Sequence, residues 1–351
     1  MDNPLADDLN HILAHTEGLW EELRGQRLFI TGGTGFFGCW LLESLAWAND
    51  KLGLNIRAVV LTRNPDAFAR KAPHLAHHPS LSFHAGDVRD FEFPAGSFSH
   101  VIHAATEASA KLNAENSLLM FETIVGGTRR ALDFAVQAGV KKFLFTSSGA
   151  VYGRQPPDMT HIPEDYTGCP DPLDFRAAYG NGKRAAEMLC CLYARQHGLD
   201  PKIARCFAFV GPYLPLDAHF AIGNFIRDGI RGGPIQVNGD GTPYRSYLYA
   251  DDLAIWLWTI LLRGKACIPY NVGSAESLSI GELATTVAQS FAPPVTVKIS
   301  KAAIAGKPLE RYVPDTRRAR TYLGLQAWIP LSDAVKRTIR WHEAAGKTIA
   351  G

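Results

Sequence analysis

Tyr179 and Lys183 stand four residues apart in AYGNGKRAAEMLC, at the start of a stretch with helical spacing, so both side chains emerge on one face. A phenol of ordinary pKa near 10 is a poor base at neutral pH. An ammonium beside it favours the phenolate and makes proton exchange with a sugar or alcohol hydroxyl feasible. The same spacing also fits a plain solvated helix face. Gly180 and Gly182 in the first turn count against a helix optimised for stability, since each costs about 1 kcal/mol relative to alanine. A second polar stretch, SSGAVYG at 147–153, directly follows the apolar run 142–146. No histidine–acid relay is evident for Ser148, which argues against a nucleophilic serine.

The segment RLFITGGTGFFGCWLLESL places Gly32, Gly35 and Gly38 between an apolar strand and an amphipathic helix. Glycines there permit a tight turn and let a pyrophosphate approach the helix N-terminus, whose free N–H groups and dipole favour an anion. Three glycines serving only a tight turn is the plainer alternative, and the strand-to-helix context weighs against it. The second strand ends in Thr62-Arg63-Asn64, without the acid that would receive the ribose 2′-hydroxyl of NAD. Arg63 therefore either accommodates the 2′-phosphate of NADP or stacks near the adenine as a surface arginine. Asp87, in HAGDVRD, is placed to accept from the adenine amino group or to cap a turn.

These residues need a parallel sheet to bring them together. From Arg27, short apolar runs alternate with helical stretches, which predicts strands near 27–31, 56–62, 81–85, 100–104, 142–147 and 201–206. Helices fit near 36–50, 114–138 and 178–197, the last two followed by Gly139 and Gly198. The fold class is α/β: a doubly wound parallel sheet, or Rossmann fold, with a smaller C-terminal substrate-binding lobe. Residues 1–26 form a helical extension, 27–210 the NAD(P)-binding domain, and 211–351 mainly the lobe, with 243–265 returning to the Rossmann domain. In the extension, Leu5, Leu9, Ile12, Leu19 and Leu23 have amphipathic helical spacing over 4–24, more simply packed on its own domain than on a partner. Further helices are expected near 218–231, 251–263 and 279–291. Trp256 and Trp258 read as helix core.

A formal net charge of +2 without a basic block removes the electrostatic term that dominates nucleic-acid binding, so that partner class is set aside. Six cysteines show neither a CxxC pair nor zinc spacing, so no metal is expected and buried, reduced thiols are. The opening MDNPLADDLN lacks the order of a signal peptide, and no apolar run reaches membrane-span length; a cytoplasmic protein with no membrane partner is expected.

TGGTGFFG at 31–38, HAGDV at 84–88, HAA at 103–105, SSGAVYG at 147–153 and YGNGK at 179–183, in that order, resemble the extended short-chain dehydrogenase/reductase family, in particular its nucleotide-sugar epimerases and dehydratases. RCFAFVGP at 205–212, GDGTPYRSYLYADDLA at 239–254 and ERYVPDTRRARTYLGL at 310–325 extend the resemblance over nearly the whole chain after residue 26. It implies a nicotinamide cofactor, NAD or NADP, bound by Gly32, Gly35, Phe36, Phe37, Gly38, Arg63, Asp87, Val88, Ala104, Ala105, Tyr179 and Lys183. It also implies that Tyr179 is the active-site base, that Lys183 binds the nicotinamide ribose and lowers the tyrosine pKa, and that Ser148 binds the reacting oxygen. Ser147 is an alternative lining of the nicotinamide site. Arg245 would grip a nucleotide diphosphate, and Arg311 would help in the same way. His219 and Asn224 fall where the lobe should meet substrate, although a helix cap or surface residue explains each more simply. A homodimer built from the two long helices near 114–138 and 178–197 is implied as well.

Three departures bear on the reaction. Ala208 and Thr123 replace asparagines common in the family, so substrate contacts do not transfer in full. Gly149 and Ala150 stand where the resembling 4,6-dehydratases carry an Asp-Glu pair and the related decarboxylases keep the glutamate. Eliminating water needs such an acid and base in addition to the tyrosine. The leading expectation is therefore a nucleotide-sugar epimerase acting through a transient keto sugar at C4. An NAD(P)H-dependent reductase of nucleotide 4-keto-6-deoxysugars follows, then a 4,6-dehydratase, and last a non-catalytic dinucleotide-binding protein.

Overall fold

The structure, a computed structural model, describes residues 3–106, 110–218, 220–344 and 346. The chain divides into two compact units. The first comprises Met1–Gly153, Gly168–Cys206 and Ala254–Tyr270; the second comprises Arg154–Thr167, Phe207–Leu253 and Asn271–Gly351. No helix among the described residues is long and apolar enough to cross a membrane.

The first unit is built on strands β1 (Arg27–Thr31), β2 (Arg57–Thr62), β3 (Leu81–Ala85), β4 (His100–His103), β5 (Lys142–Ser148) and β6 (Asp200–Cys206). Each lies within one residue of the run expected from the sequence. They pair in parallel in the order β3-β2-β1-β4-β5-β6. β4 is buried along its whole length and β5 everywhere but its first residue, as strands covered on both faces must be. A seventh strand, Pro269–Val272, lies beyond β6. The sequence gives little sign of it, because a proline and an asparagine interrupt a run of only four residues. Strand order reverses between β1 and β4, so the carboxyl ends of these strands form the crevice where ligands bind in sheets of this kind. On one face Phe29, Phe91, Phe98 and Phe134 pack ring to ring, with centroids 4.5 to 6.0 Å apart.

Helix α1 (Ala6–His15) is shorter than the amphipathic run that announces it. It stops at Thr16, and a separate 3-10 turn covers Trp20–Leu23 after Gly18, whose φ is +76°. Leu5, Leu9 and Ile12 are buried, Trp47 Nε1 donates to Asn10 Oδ1 at 3.1 Å, and the Trp20 and Trp258 rings lie 5.0 Å apart. The extension is thus packed on its own unit. Helix α2 (Phe36–Leu52) runs to Gly53, a left-handed C-cap. The single helix expected over 114–138 is two, Ala110–Glu115 and Ser117–Gln137. Asn116 interrupts it and caps the second, accepting from Leu119 N at 3.1 Å. Helix Ala178–His197 ends at Gly198 as expected.

In the second unit, Tyr244–Arg245 lies between Leu278–Ser279 and Arg311–Tyr312 in a three-stranded sheet. Helices Ala221–Ile230 and Ile280–Ala288 fall inside their expected spans, the latter opened by a Ser279/Glu282 capping box. Helix Leu331–Ala344, which the sequence reading leaves unassigned, follows them.

Candidate active site

The glycine turn between β1 and α2 is shaped by close backbone approach. Gly32 has φ +72°, and a Cβ there would stand 2.4 Å from the carbonyl carbon of Ala104; one at Gly38 would stand 2.3 Å from Gly32 O. No side chain fits either position. Gly35 is the extended N-cap of α2, whose first turn carries no acidic residue. Gly33, a fourth constrained glycine, would drive a Cβ to 2.6 Å from Val60 Cγ1. Phe36 and Phe37 open the helix half-buried, with centroids 5.8 Å apart. Across the switch point, Ala104 N donates to Thr31 O at 3.1 Å and Ala105 N to Thr31 Oγ1 at 3.2 Å. Backbone drawn this tight at a helix N-terminus leaves a cradle that fits a dinucleotide pyrophosphate.

Asp87 already has a partner. Its Oδ1 accepts from Arg89 N at 3.0 Å and from Arg89 Nε at 2.8 Å, and the Arg89 side-chain bond holds the carboxyl below its usual range, with Arg63's charge acting the same way. Arg63 is exposed at the end of β2, and Asn64 after it caps helix Pro65–Lys71 by accepting from Ala67 N at 2.9 Å. Lys71, not anticipated from the sequence, donates to Thr34 O in the glycine turn at 2.8 Å. Val88 is packed where a Cβ on Gly127 would come within 2.9 Å of its Cγ1.

Three successive residues at the end of β5 meet three residues on one face of helix Ala178–His197. Thr146 O accepts from Lys183 Nζ at 2.8 Å, Ser147 Oγ donates to Glu187 Oε1 at 2.6 Å, and Ser148 is near enough to Tyr179 for its side chain to favour the phenolate. Tyr179, Lys183 and Glu187 are successive steps of four along the helix. Ser147 therefore points its hydroxyl at a carboxylate. Ser148 also accepts from Ala150 N at 3.2 Å and so caps the 3-10 turn Gly149–Tyr152.

The two helix glycines have a packing role. A Cβ at Gly180 would lie 2.7 Å from Ala150 O, and one at Gly182 would lie 3.2 Å from Ile124 Cδ1. Asn113, another residue the sequence did not single out, accepts from Tyr179 N at 3.1 Å and donates to Arg176 O at 2.7 Å. Thr106 joins the two halves of the site: it accepts from Lys183 Nζ at 2.8 Å and donates to the carbonyl of Ala105 at 2.8 Å.

Burial dominates the electrostatics. It pushes Tyr179 up to about 12, against the downward pull of the Ser148 side chain. The direction is opposite to the lowering expected from a lysine one turn away, because the Lys183 ammonium lies 5.9 Å from the tyrosine ring centroid and desolvation of the phenol outweighs it. Lys183, 2% exposed, is itself pulled down to about 8 by burial. His103 is brought to about 3 by burial and bonds Thr31 Oγ1 and Thr128 Oγ1, which makes it a neutral strut between β1, β4 and helix Ser117–Gln137.

In the second unit, Arg245 and Arg311 come together on paired strands, Arg311 standing opposite Tyr244 with its guanidinium 4.4 Å from that ring. Arg245 Nη1 donates to Tyr244 O at 2.8 Å and Nη2 to Glu310 Oε1 at 2.5 Å. The buried Nε of Arg311 and Oγ of Ser246 have no hydrogen-bond partner. Asn224 lies inside helix Ala221–Ile230, whose N-cap is Phe220, and accepts from Arg227 Nη1 at 3.0 Å, so it is not the cap the sequence suggested; His219 lies outside the described residues.

A doubly wound parallel sheet, a glycine cradle at its switch point and a Ser-Tyr-Lys cluster at the end of β5 define a nicotinamide-dependent enzyme of the extended short-chain dehydrogenase/reductase group. The chain belongs to the NAD dependent epimerase/dehydratase family, whose model matches residues 28–273. It is 31% identical over 309 residues to UDP-glucuronic acid decarboxylase 6 of Arabidopsis thaliana, covering 88% of this chain and 86% of that protein. A dTDP-glucose 4,6-dehydratase from Streptomyces venezuelae, solved with NAD bound, superposes with a TM-score of 0.75 at 26% identity over 91% of this chain and 97% of its own. The UDP-glucose 4-epimerase of Thermotoga maritima shares the fold, with a TM-score of 0.75 at 20% identity over 92% and 100% of the two chains.

Proposed function

We propose that this protein is an NAD(P)-dependent nucleotide-sugar epimerase that works through a transient keto sugar at C4. The observation that carries the reading is the convergence of Ser148, Tyr179 and Lys183 next to Gly149 and Ala150, which bring no carboxylate. Glu187, the carboxylate of the same network, is held by Arg205 and Ser147. The groups needed to remove water across C5 and C6 are thus missing beside Ser148, whereas exchange of one hydroxyl proton needs only the three that are present.

A nicotinamide, when bound in the glycine cradle, supplies reversible hydride exchange with the sugar carbon. Ser148 holds the reacting oxygen and Tyr179 exchanges its proton. Burial opposes loss of the tyrosine proton and Ser148 favours it; an ammonium at Lys183, on the same helix face, acts in the same direction as Ser148. Gly149 and Ala150 are small, which would leave space beside Ser148 for a keto sugar to turn over between its two faces. Arg245 and Arg311 are assigned to the nucleotide diphosphate, and Arg311's unpartnered Nε suits an incoming anion. A homodimer through helices Ser117–Gln137 and Ala178–His197 is part of this reading, supported by exposed Leu118, Val136, Met188 and Leu192 along them.

A second reading is reduction of a 4-keto sugar by external NADPH, favoured by Arg63 and by the lack of an acid at the end of β2. The test is incubation with UDP-glucose, UDP-glucuronic acid or a dTDP-4-keto-6-deoxysugar, with catalytic NAD or stoichiometric NADPH, read by NMR of the sugar and absorbance at 340 nm. Isomerised sugar without net cofactor change is the expected result. Stoichiometric loss of absorbance at 340 nm establishes the reductase instead, and a pentose product with release of carbon dioxide establishes decarboxylation.

A further inference from the structure

Behind the Ser-Tyr-Lys cluster sits an ion pair with no part in the proposed chemistry. Arg205 Nε donates to Glu187 Oε1 at 2.9 Å and Nη2 to Oε2 at 2.7 Å, a two-pronged pair with both side chains at most 14% exposed. Arg205 Nη1 donates to the hydroxyl of Tyr152 at 2.9 Å, and its guanidinium lies 4.8 Å from that ring centroid. Ser147 completes the set by donating to Glu187 at 2.6 Å. Arg205 stands opposite Ser147 in the β5–β6 register. One carboxylate on the catalytic helix is therefore tied to β6, to the residue before Ser148, and through Arg205 to the last residue of the turn that Ser148 caps.

We propose that Glu187 is a positioning residue for proton exchange at Tyr179: anchored by Arg205 and Ser147, it sets the register of the catalytic helix against Ser148 and keeps Lys183 charged. This rests on the Ser148–Tyr179–Lys183 reading of the site. Two arguments carry it. Geometrically, the contacts 146 to 183, 147 to 187 and 148 to 179 form one seam, and Glu187 holds its far end. Electrostatically, Lys183 is almost wholly buried, and such an ammonium persists only with anionic or polar compensation.

The surroundings of Lys183 single Glu187 out. Its own helix contributes Tyr179, Glu187 and Cys190; β5 contributes the Phe145 ring, 4.9 Å from Nζ, and the Thr146 carbonyl; β6 contributes Cys206, with Arg205 bound to Glu187 on the far side; Thr106 and neutral His103 face it from β4 and the residues after it. Both cysteine thiols are held well above neutral pH by burial, which leaves Glu187 as the carboxylate of this set.

The test labels the protein with lysine carrying carbon-13 at Cε and follows the Lys183 resonance, assigned by its loss in Lys183→Met, against pH. Glu187→Gln keeps the size and an acceptor but removes the charge. Because it leaves Arg205 buried and unpaired, the double variant Glu187→Gln/Arg205→Gln is measured beside it. Glu187→Gln is expected to move the Lys183 midpoint down by about one pH unit, and the alkaline limb of kcat by the same amount, which is about tenfold in activity on that limb; the double variant, which removes a cation along with the carboxylate, is expected to move the midpoint less and to lower kcat through the lost register. NAD affinity is expected to stay within about twofold, since the cradle is untouched. A wild-type midpoint in folded Glu187→Gln overturns the proposal and leaves Glu187 a structural residue, and where only the double variant folds, a wild-type kcat in it does the same. The titration needs no substrate, so it stands or falls separately from the epimerase reading.

Discussion

A Cβ at Gly180 would lie 2.7 Å from the carbonyl oxygen of Ala150, so the first turn of the helix that carries Tyr179 rests directly on the turn that Ser148 caps. Gly180→Ala gains about 1 kcal/mol of helix propensity. Against this, overpacking on rigid backbone typically costs about 1–3 kcal/mol. The helix start must back away, and it carries Tyr179 with it. We expect a Tm unchanged or a few degrees lower, and kcat down by at least about tenfold. An alanine variant with wild-type kcat would show that the contact does not set the Ser148–Tyr179 distance.

Tyr179 and Lys183 shift in opposite directions on burial, to about 12 and about 8. Lys183 is an ammonium below its pKa and neutral above it, so assistance to the tyrosine is complete on the acid side and fades as pH rises through about 8. The pH profile of kcat between 6 and 10 should therefore bend down near 8, well before an exposed lysine would titrate. Tyr179→Phe should lower kcat by about 10²- to 10⁴-fold with NAD affinity preserved. A profile flat to pH 10 in the wild type would contradict the role given to Lys183.

Much of this site is legible in the sequence where its logic is local. Three spaced glycines after an apolar strand announce the cradle, and a four-residue spacing announces the tyrosine–lysine face. What escapes is what the fold assembles from afar. Asn113 orients Tyr179 from 66 positions away, Thr106 holds Lys183 from 77, and Ser147 meets Glu187 across 40. No periodicity connects such pairs. The glycines at 180 and 182 are visible as an anomaly, but their reason, contact with Ala150 and Ile124, requires the packed structure. Helix boundaries fail in the same way: Asn116 and Gly18 break apolar patterns that continue across them.

Arg63 directly follows β2, where an acid would read a ribose hydroxyl, and Lys71 places a second cation at the glycine turn. A 2′-phosphate there would gain a charge-assisted bond worth about 1.5–3 kcal/mol, or roughly 10- to 100-fold in affinity. Arg63→Asp should weaken NADPH by that factor while leaving NADH equal or tighter, as read by calorimetric titration of each cofactor. Equal losses for both would mean that Arg63 stacks on the adenine instead.

Glu43, on α2 and 3% exposed, accepts from His74 Nε2 at 2.7 Å, and that hydrogen bond raises the histidine's pKa. A group whose pKa is higher in the folded chain stabilises it fully below the unfolded value, near 6.5, and loses that contribution as pH rises through the folded value. Thermal melting should therefore show this contribution in full at pH 5.5 and without it at pH 8.5. His74→Gln, which can still donate to Glu43, should remove the pH-dependent part and leave the rest. Because His74 is more than half exposed, the effect should be modest, about 1 kcal/mol at most. Parallel melting curves for wild type and variant across this range would show that the pair contributes nothing to the pH dependence of stability.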